Sequence, residues 1–304
     1  MREVLSKFLT EKVNLDDSVY VFSGDHGYAL FDDLRYKFPY NFINVGVSEQ
    51  AMVGYAAGMA KEGMRPIVYG LSAFIPIRVL EFIKMDVCYE SLPVIFLGDG
   101  AGLVYATLGP SHQCSEDISS LRSVPNITIL SPADNSEMSA CLEYAYSQES
   151  PVYIRIGKAD KIQIHSNAKI SLKPELIPIN THPSSICIVA TGSMLDVGSE
   201  LSNKYKLSLF SAPFIHPLNI ERVFDQIKSF DTVVTLEEHS SVGGLGSIIA
   251  EIVSDRPELK KIRVQRIGIS NRFTKYCGSY EYAIQEHGLD YETIEKHLIN
   301  LKLI

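Results

Sequence analysis

Apolar positions along this chain recur in two rhythms: short runs of consecutive apolar residues, and longer stretches whose apolar residues share one helical face. Residues 3–12 put Val4, Leu5, Phe8 and Leu9 on one face and predict a helix. Ser18 to Ser23 (SVYVFS) predicts a buried strand, with Gly24-Asp25-His26-Gly27 as the loop at its carboxyl end. A short helix over Ala29 to Phe38 and a strand over Phe42 to Val47 follow. Ser48 is a natural N-cap and Gly63 a natural stop for the helix between them. Pro66 to Tyr69 predicts a strand ending at Gly70-Leu71-Ser72, then a helix over Ile75 to Met85 and a strand over Pro93 to Leu97. Gly98 to Gln113 reads as a long glycine-bearing loop. Helix Glu116 to Ser123, strand Ile127 to Leu130, a helix from Pro132-Ala133-Asp134 to about Ser147, and strand Pro151 to Ile156 complete the unit. Strands alternating with helices imply a mostly parallel sheet.

Lys158 to Pro183 breaks the rhythm: polar and β-branched residues alternate, there is no helical period, and Pro174 and Pro178 punctuate it. It reads as a crossing to a second unit. Ser185 to Ser193 predicts a strand and glycine turn there. Helix 194–203, strand 206–211, helix 219–229, strand 232–236, helix 246–255, strand 261–267 and terminal helical segments follow. The fold class is two consecutive α/β domains, the second smaller, with expected boundaries 1–160, 161–183 (linker) and 184–304.

A length of 304 residues supports two cores, and a net charge of -8 with no basic run excludes a general nucleic-acid or anionic-membrane binder. Cys88, Cys114, Cys141, Cys187 and Cys277 are scattered without CxxC spacing, which predicts buried free thiols in a reducing compartment. The amphipathic start MREVLSKFLTEKVN carries acids and is no signal peptide, and no apolar run is long enough to span a bilayer. A cytoplasmic location is the expectation.

Four loops should gather at the carboxyl edge of the first sheet, where open α/β folds keep their chemistry. They bring Asp25, His26, Glu49, Phe74 and His112 toward one cleft. A carboxylate, an aromatic ring and histidines suit acid–base work on a flat heterocyclic ligand. Each also has a plainer reading: Glu49 as an acid at a helix start, either histidine as a hydrogen-bonded loop residue, Phe74 as core. Gly54 and Gly58 on the Glu49 helix suggest close packing in a core or at a subunit interface. Gly98-Asp99-Gly100 followed by Asn126 mimics a magnesium–diphosphate motif. It lacks the helix start that phosphates need, and a Gly-Pro-Ser-His-Gln loop intervenes.

Two stretches carry a more specific resemblance. FINVGVSEQAMVGYAAGMA resembles the pyrimidine-binding domain of transketolases, and is similar also to that of deoxyxylulose-phosphate synthase and the β subunits of 2-oxo-acid dehydrogenases. LGPSHQCSEDI resembles the transketolase His loop, SPADNSEM and PVYIRIGK its later landmarks, and TLEEHSSVGGLGS the signature of the family's C-terminal domain. The landmarks occur in order over essentially the whole chain. Full-length transketolases have a further N-terminal domain for magnesium and the cofactor diphosphate, with no counterpart in this sequence. The resemblance therefore implies the C-terminal subunit of a split enzyme. Its partner would be a separate N-terminal subunit that holds the thiamine diphosphate phosphates and Mg2+, with an α2β2 assembly as the expectation.

The resemblance also implies roles. Glu49 matches the catalytic glutamate that pairs with N1′ of the aminopyrimidine, and Phe74 the ring stacked on the pyrimidine. Asp25 joins them as a cofactor-side residue. His112 matches a histidine facing cofactor and substrate, serving proton transfer or hydrogen bonding. Lys158 stands where relatives carry an arginine for the sugar phosphate, and Arg2, His26 and Arg78 are further substrate-side candidates. Leu108 replaces an aspartate common before the Gly-Pro-Thr-His of the family and Ser111 replaces its threonine, which leaves donor and acceptor sugars open. Ketol transfer is the leading expectation. A 2-oxo-acid dehydrogenase β subunit and a non-catalytic scaffold paralogue are the alternatives.

Overall fold

The computed structural model describes residues 1–158, 163–165, 169–256 and 261–304. Of the predicted linker, residues 161, 162 and 166–168 lie outside the described residues, as do 159 and 160 at the end of the first predicted domain. The first part of the chain runs α1 (Arg2–Leu15), β1 (Val19–Ser23), α2 (Asp32–Lys37), β2 (Phe42–Asn44), α3 (Glu49–Lys61) and β3 (Arg65–Leu71). Then come α4 (Leu80–Phe82), β4 (Ile95–Asp99), α5 (Asp117–Leu121), β5 (Thr128–Leu130), α6 (Asn135–Ser147) and β6 (Val152–Ile156). The rest comprises β7 (Ile177–Asn180), β8 (Ile186–Ala190), α7 (Met194–Tyr205), β9 (Ser208–Ser211), β10 (Phe214–His216) and α8 (Ile220–Ile227). It ends with β11 (Thr232–Ser240), α9 (Leu245–Ser254), β12 (Arg263–Ile269), α10 (Tyr280–Glu286) and α11 (Tyr291–Asn300).

Two sheets result. The first has seven strands in the order β10-β5-β6-β4-β3-β1-β2, parallel except for β10. The second has five, β12-β11-β8-β9-β7, parallel except for the edge strand β7. Two strands depart from the expectation. Residues 177–180, read as linker, pair as β7 with β9; Pro178 is tolerated because an edge strand leaves one row of amides outside the ladder. β10, hidden between Pro213 and Pro217, leaves the second unit to pair antiparallel with β5 of the first. The two units also share one apolar core, in which Phe96 and Ile129 are continuous with Cys187, Val189 and Leu245.

Local chemistry explains the helices that matter for the site. α1 buries Leu5, Phe8, Leu9 and Val13, the stripe a 3.6-residue period requires. α3 starts after Ser48, whose hydroxyl makes no capping bond, and buries Met52, Val53, Ala56, Ala57 and Ala60. It ends in a Schellman motif: Gly63, at φ +84°, donates to Ala60 O, and Met64 donates to Met59 O. Gly54 and Gly58 face outward, and none of the described residues covers them. The predicted helix over residues 75–85 is broken into a 3-10 turn (Ile77–Val79), α4, and a π turn (Ile83–Cys88). Pro76 cannot donate into a regular first turn, and irregular helical turns of this kind are common at functional sites. Four cysteines are buried as expected, and burial pushes the Cys88 thiol up to about 12. Cys277 is exposed instead, beside Gly109.

Candidate active site

Glu49 is the first residue of α3 and is only 2% exposed. Its Oε2 accepts from Arg78 Nη1 at 3.0 Å, while Oε1 is buried with no partner. Phe74 stands just past the end of β3, half-buried. The Arg78 guanidinium lies over its ring, 4.0 Å from the centroid. The His112 ring meets Phe74 edge-on at 5.3 Å, and the His26 ring lies 6.1 Å away. Glu49, Arg78, Phe74, His112 and His26 thus form one cluster drawn from four different loops of the sheet's carboxyl edge.

The loops are held by short-range polar bonds. The buried Ser23 hydroxyl donates to His26 O at 2.9 Å and accepts from His26 N, which fixes that histidine; its Nε2 is buried without a partner. Asp25 is exposed in the left-handed region (φ 65°), which a short acidic side chain tolerates better than most. Its carboxylate accepts from Asn44 Nδ2 at 3.2 Å, and Asn44 Oδ1 accepts from the amides of Asp25 and Gly46. Asp25 therefore ties two site loops together at the rim. His112 Nδ1 faces the Ser111 hydroxyl at 2.9 Å.

Two candidates make their contacts elsewhere. Lys158 stands over the Tyr280 ring at 4.5 Å and reaches Glu281 at 3.7 Å, lining a small cleft of about 120 Å³ with Ser193 and Met194. Arg2 is exposed, and its charge acts on the hydroxyls of Tyr69 and Tyr105. Both of those hydroxyls donate to Asp99 Oδ2, at 2.7 and 3.3 Å. That pairing accounts for the aspartate of the Gly98-Asp99-Gly100 mimic, while Asn126 donates to Cys88 O. Among the described residues no three His, Cys, Asp or Glu side chains converge as a metal site.

The residues that hold the His loop are not among the site residues singled out in the sequence. The second unit grips residues 98–115 at four points. Glu238 Oε1 accepts from Leu103 N at 2.7 Å, Ala106 O accepts from Gly278 N, Thr274 Oγ1 donates to Gln113 Oε1 at 2.7 Å, and Ser115 O accepts from Ser240 N at 2.7 Å. Behind this grip lies a fully buried polar node. Arg155 Nε donates to both oxygens of Asp117 (3.0 and 2.9 Å) and its Nη2 to Glu238 O at 2.6 Å; Tyr153 donates to Asp117 Oδ2 at 2.8 Å. Glu238 also accepts from Ser193 and Tyr280. Glu237 caps α9, accepting from Leu245 N and Gly246 N at 2.7 and 2.8 Å, in space that Gly244 leaves open: a Cβ there would stand 2.0 Å from Oε2. The signal was present in the sequence as charged residues inside strand-like runs, Arg155 in PVYIRI and Glu237-Glu238-His239 after TVVTL.

His239 supplies a pH test of this node. Burial lowers its pKa from 6.5 to about 4; Nδ1 donates to Ser240 O at 2.8 Å and Nε2 faces the Ser119 amide. Between those values the unfolded chain binds more protons than the folded one. The stability from this group is therefore complete above pH 6.5 and is lost as the pH falls toward 4. Replacing His239 by Gln removes that dependence. Urea titrations should show the unsubstituted protein losing about 2 kcal/mol more than the variant between pH 7 and pH 5. Burial raises Glu237 to about 7, so its contribution runs the other way, but it does so in both proteins.

The structure thus has a parallel-sheet α/β unit with a buried acid at a helix start beside an aromatic ring and two histidines at its carboxyl edge, followed by a second α/β unit. Residues 1–161 match the family described as "Transketolase, pyrimidine binding domain", and residues 178–294 match "Transketolase, C-terminal domain". The chain belongs to the transketolase family, of which it carries these two domains. It is 30% identical over 296 residues to one subunit of the apulose-4-phosphate transketolase of Actinobacillus succinogenes, covering 96% of this chain and 94% of that one. It is 32% identical over 266 residues to a putative transketolase C-terminal section of Methanocaldococcus jannaschii (86% and 83% covered). Against the 1-deoxy-D-xylulose-5-phosphate synthase of Oleidesulfovibrio alaskensis it is 32% identical over 276 residues, but spans only 42% of that protein. A split-gene transketolase solved as an inactive β4 tetramer superposes with a TM-score of 0.87 at 27% identity, with 98% of this chain and 97% of that one covered.

A pyrimidine-binding domain implies thiamine diphosphate. The residues present fit its pyrimidine half: Glu49 Oε1 is an orphaned buried oxygen, which ordinarily needs a partner, and it lies in the same cluster as the aromatic Phe74.

Proposed function

We propose that this chain is the pyrimidine-side subunit of a thiamine diphosphate-dependent transketolase, moving a two-carbon ketol unit from a ketose to an aldose. The observation that carries the proposal is the unpartnered, buried Oε1 of Glu49 within the Phe74–His112–His26 cluster. The similarity to a separate transketolase subunit along nearly its whole length supports it. When bound, the cofactor would supply the nucleophilic carbon that ketol transfer requires.

This chain's residues do the remaining work. Glu49 holds and moves a proton at ring nitrogen N1′, a task for a carboxyl shielded from water. Phe74 supplies the stacking face. His112 and His26 present ring edges beside it for hydrogen bonds and proton transfer to substrate oxygens. Asp25 braces the rim through Asn44. Lys158, Arg2 and Arg78 are the cations available for a sugar phosphate; lysine in the arginine position keeps charge but gives up the bidentate fork. Mg2+ and the diphosphate belong in this reading to a separate N-terminal subunit, with an α2β2 assembly in the cytoplasm.

Mixing the purified chain with its N-terminal partner, thiamine diphosphate and Mg2+ should give ketol transfer between ketose and aldose substrates, while either protein alone gives none. Decarboxylation of a 2-oxo acid without ketol transfer by the same mixture would overturn the reading.

A further inference from the structure

The proton transfer and stacking assigned to Glu49 and Phe74 do not account for where the Arg78 guanidinium stands. Its guanidinium covers a face of Phe74 at 4.0 Å, and Nη1 donates to Glu49 Oε2 at 3.0 Å. Glu49 and Phe74 are the two residues assigned to the aminopyrimidine, one to hydrogen-bond a ring nitrogen and the other to stack. A guanidinium can imitate such a ring. It is planar, delocalised and weakly hydrated, stacks on aromatic faces, and carries its N–H donors in the plane. Arg78 satisfies both halves of the seat at once, and two planar groups cannot share one face of Phe74.

We propose that Arg78 is an internal ligand of the pyrimidine seat: it fills the place between Glu49 and Phe74, competes with the cofactor ring for it, and swings out when the ring enters. The inference rests on the proposed roles of Glu49 and Phe74. Two features make the exchange cheap. The Arg78 side chain is 40% exposed, so the guanidinium can move into water, and the entering ring takes its place as the partner of the buried Glu49 carboxyl. It also stands on the 3-10 turn Ile77–Val79, outside any regular helix. The displacing ligand must supply both a stacking plane and a hydrogen-bond partner for the glutamate. The seat therefore selects flat, nitrogen-rich heterocycles over other aromatic rings.

The test is a calorimetric titration of the assembled two-subunit enzyme with thiamine diphosphate at saturating Mg2+, comparing the unsubstituted protein with Arg78→Met and Arg78→Lys. Arg78→Met should bind about tenfold more tightly, the size expected when a half-exposed cation–π contact and ion pair no longer have to be broken first. Arg78→Lys, which keeps the charge but not the plane, should fall between. The cofactor-free melting temperature of each variant verifies that it is folded. Weaker binding by Arg78→Met overturns the inference and makes Arg78 a ligand of the cofactor; equal binding overturns it as well. In both cases the reading of Glu49 stands. If none of the three proteins binds thiamine diphosphate, the cofactor reading fails, and the inference with it.

Discussion

Glu49→Gln should lower ketol transfer by the assembled enzyme by about 10²–10⁴-fold, the usual worth of a positioned proton-transfer group, while leaving the fold as stable as before. Glutamine keeps the length and shape of the side chain and can still hydrogen-bond, but it cannot exchange a proton with a ring nitrogen. Removing one partner of a buried ion pair is costly when the other charge stays buried. Here the other charge is Arg78, which is 40% exposed and can turn to water. The carboxylate itself is poorly served, with Oε1 buried and unpaired. A group kept at the expense of local stability belongs to function more than to folding. Steady-state turnover and urea denaturation of the same preparation check both halves. Near-normal turnover by the variant would sink the assignment, and a large loss of stability would return Glu49 to the role of a helix-start acid.

Much of the architecture was legible because it is local. The apolar stripe of α1, the bounds of α3 between Ser48 and Gly63, and the alternation of strands and helices all follow from neighbours in sequence. The cluster of Glu49, Phe74, His112 and His26 was legible for a related reason: parallel strands deliver their following loops to one edge. What could not be read is non-local. β10 gains its identity only by pairing with β5, which is far away in the chain. β7 exists because β9 offers it an edge, against the local signal of Pro178. Arg78, which meets Glu49, stands on the 3-10 turn Ile77–Val79, where the pattern predicts a regular helix. Glu237 and Glu238 stand just past the predicted strand 232–236, inside what is β11. Their burial is permitted only by amide donors from α9 and from the His loop, which the fold supplies.

These non-local contacts connect the second domain to the chemistry of the first. The rings and the guanidinium around Phe74 and Glu49 all come from the first domain. The second domain acts instead on the His loop, which it holds at Leu103, Ala106, Gln113 and Ser115. His112 lies between the second and third of these grips, so its place beside Phe74 depends on both. A catalytic group carried on a loop needs such outside support, since an ångström of misplacement can cost about a hundredfold in rate.

Asp117→Ala should therefore be the most destabilising single change at the domain junction, by about 3–5 kcal/mol, or a fall in Tm of about 5–8 °C for a chain of this length. Asp117 is fully buried, accepts two bonds from Arg155 Nε and one from Tyr153, and its loss leaves a guanidinium that is itself fully buried without its counter-charge. Unlike Arg78, Arg155 has no route to water, and this difference in exposure is why the two ion pairs should respond so differently to losing their acid. Replacing both groups by apolar residues, Asp117→Leu with Arg155→Met, should recover a large part of the loss, because no charge is then stranded; the cost that persists comes from Glu238 O and the Tyr153 hydroxyl, which lose partners in the double variant. Thermal unfolding of Asp117→Leu, Arg155→Met and the double variant measures the coupling. If the double variant is as unstable as the sum of the singles, the node stabilises through independent hydrogen bonds and not as an ion pair. If Asp117→Ala is near neutral, the two domains are held by their shared apolar core, β10 and the bonds to the His loop rather than by this ion pair. The double variant also separates stability from positioning: with the fold restored but the Glu238 carbonyl unsupported, its turnover should stay below that of the unsubstituted enzyme if this node orders the His loop.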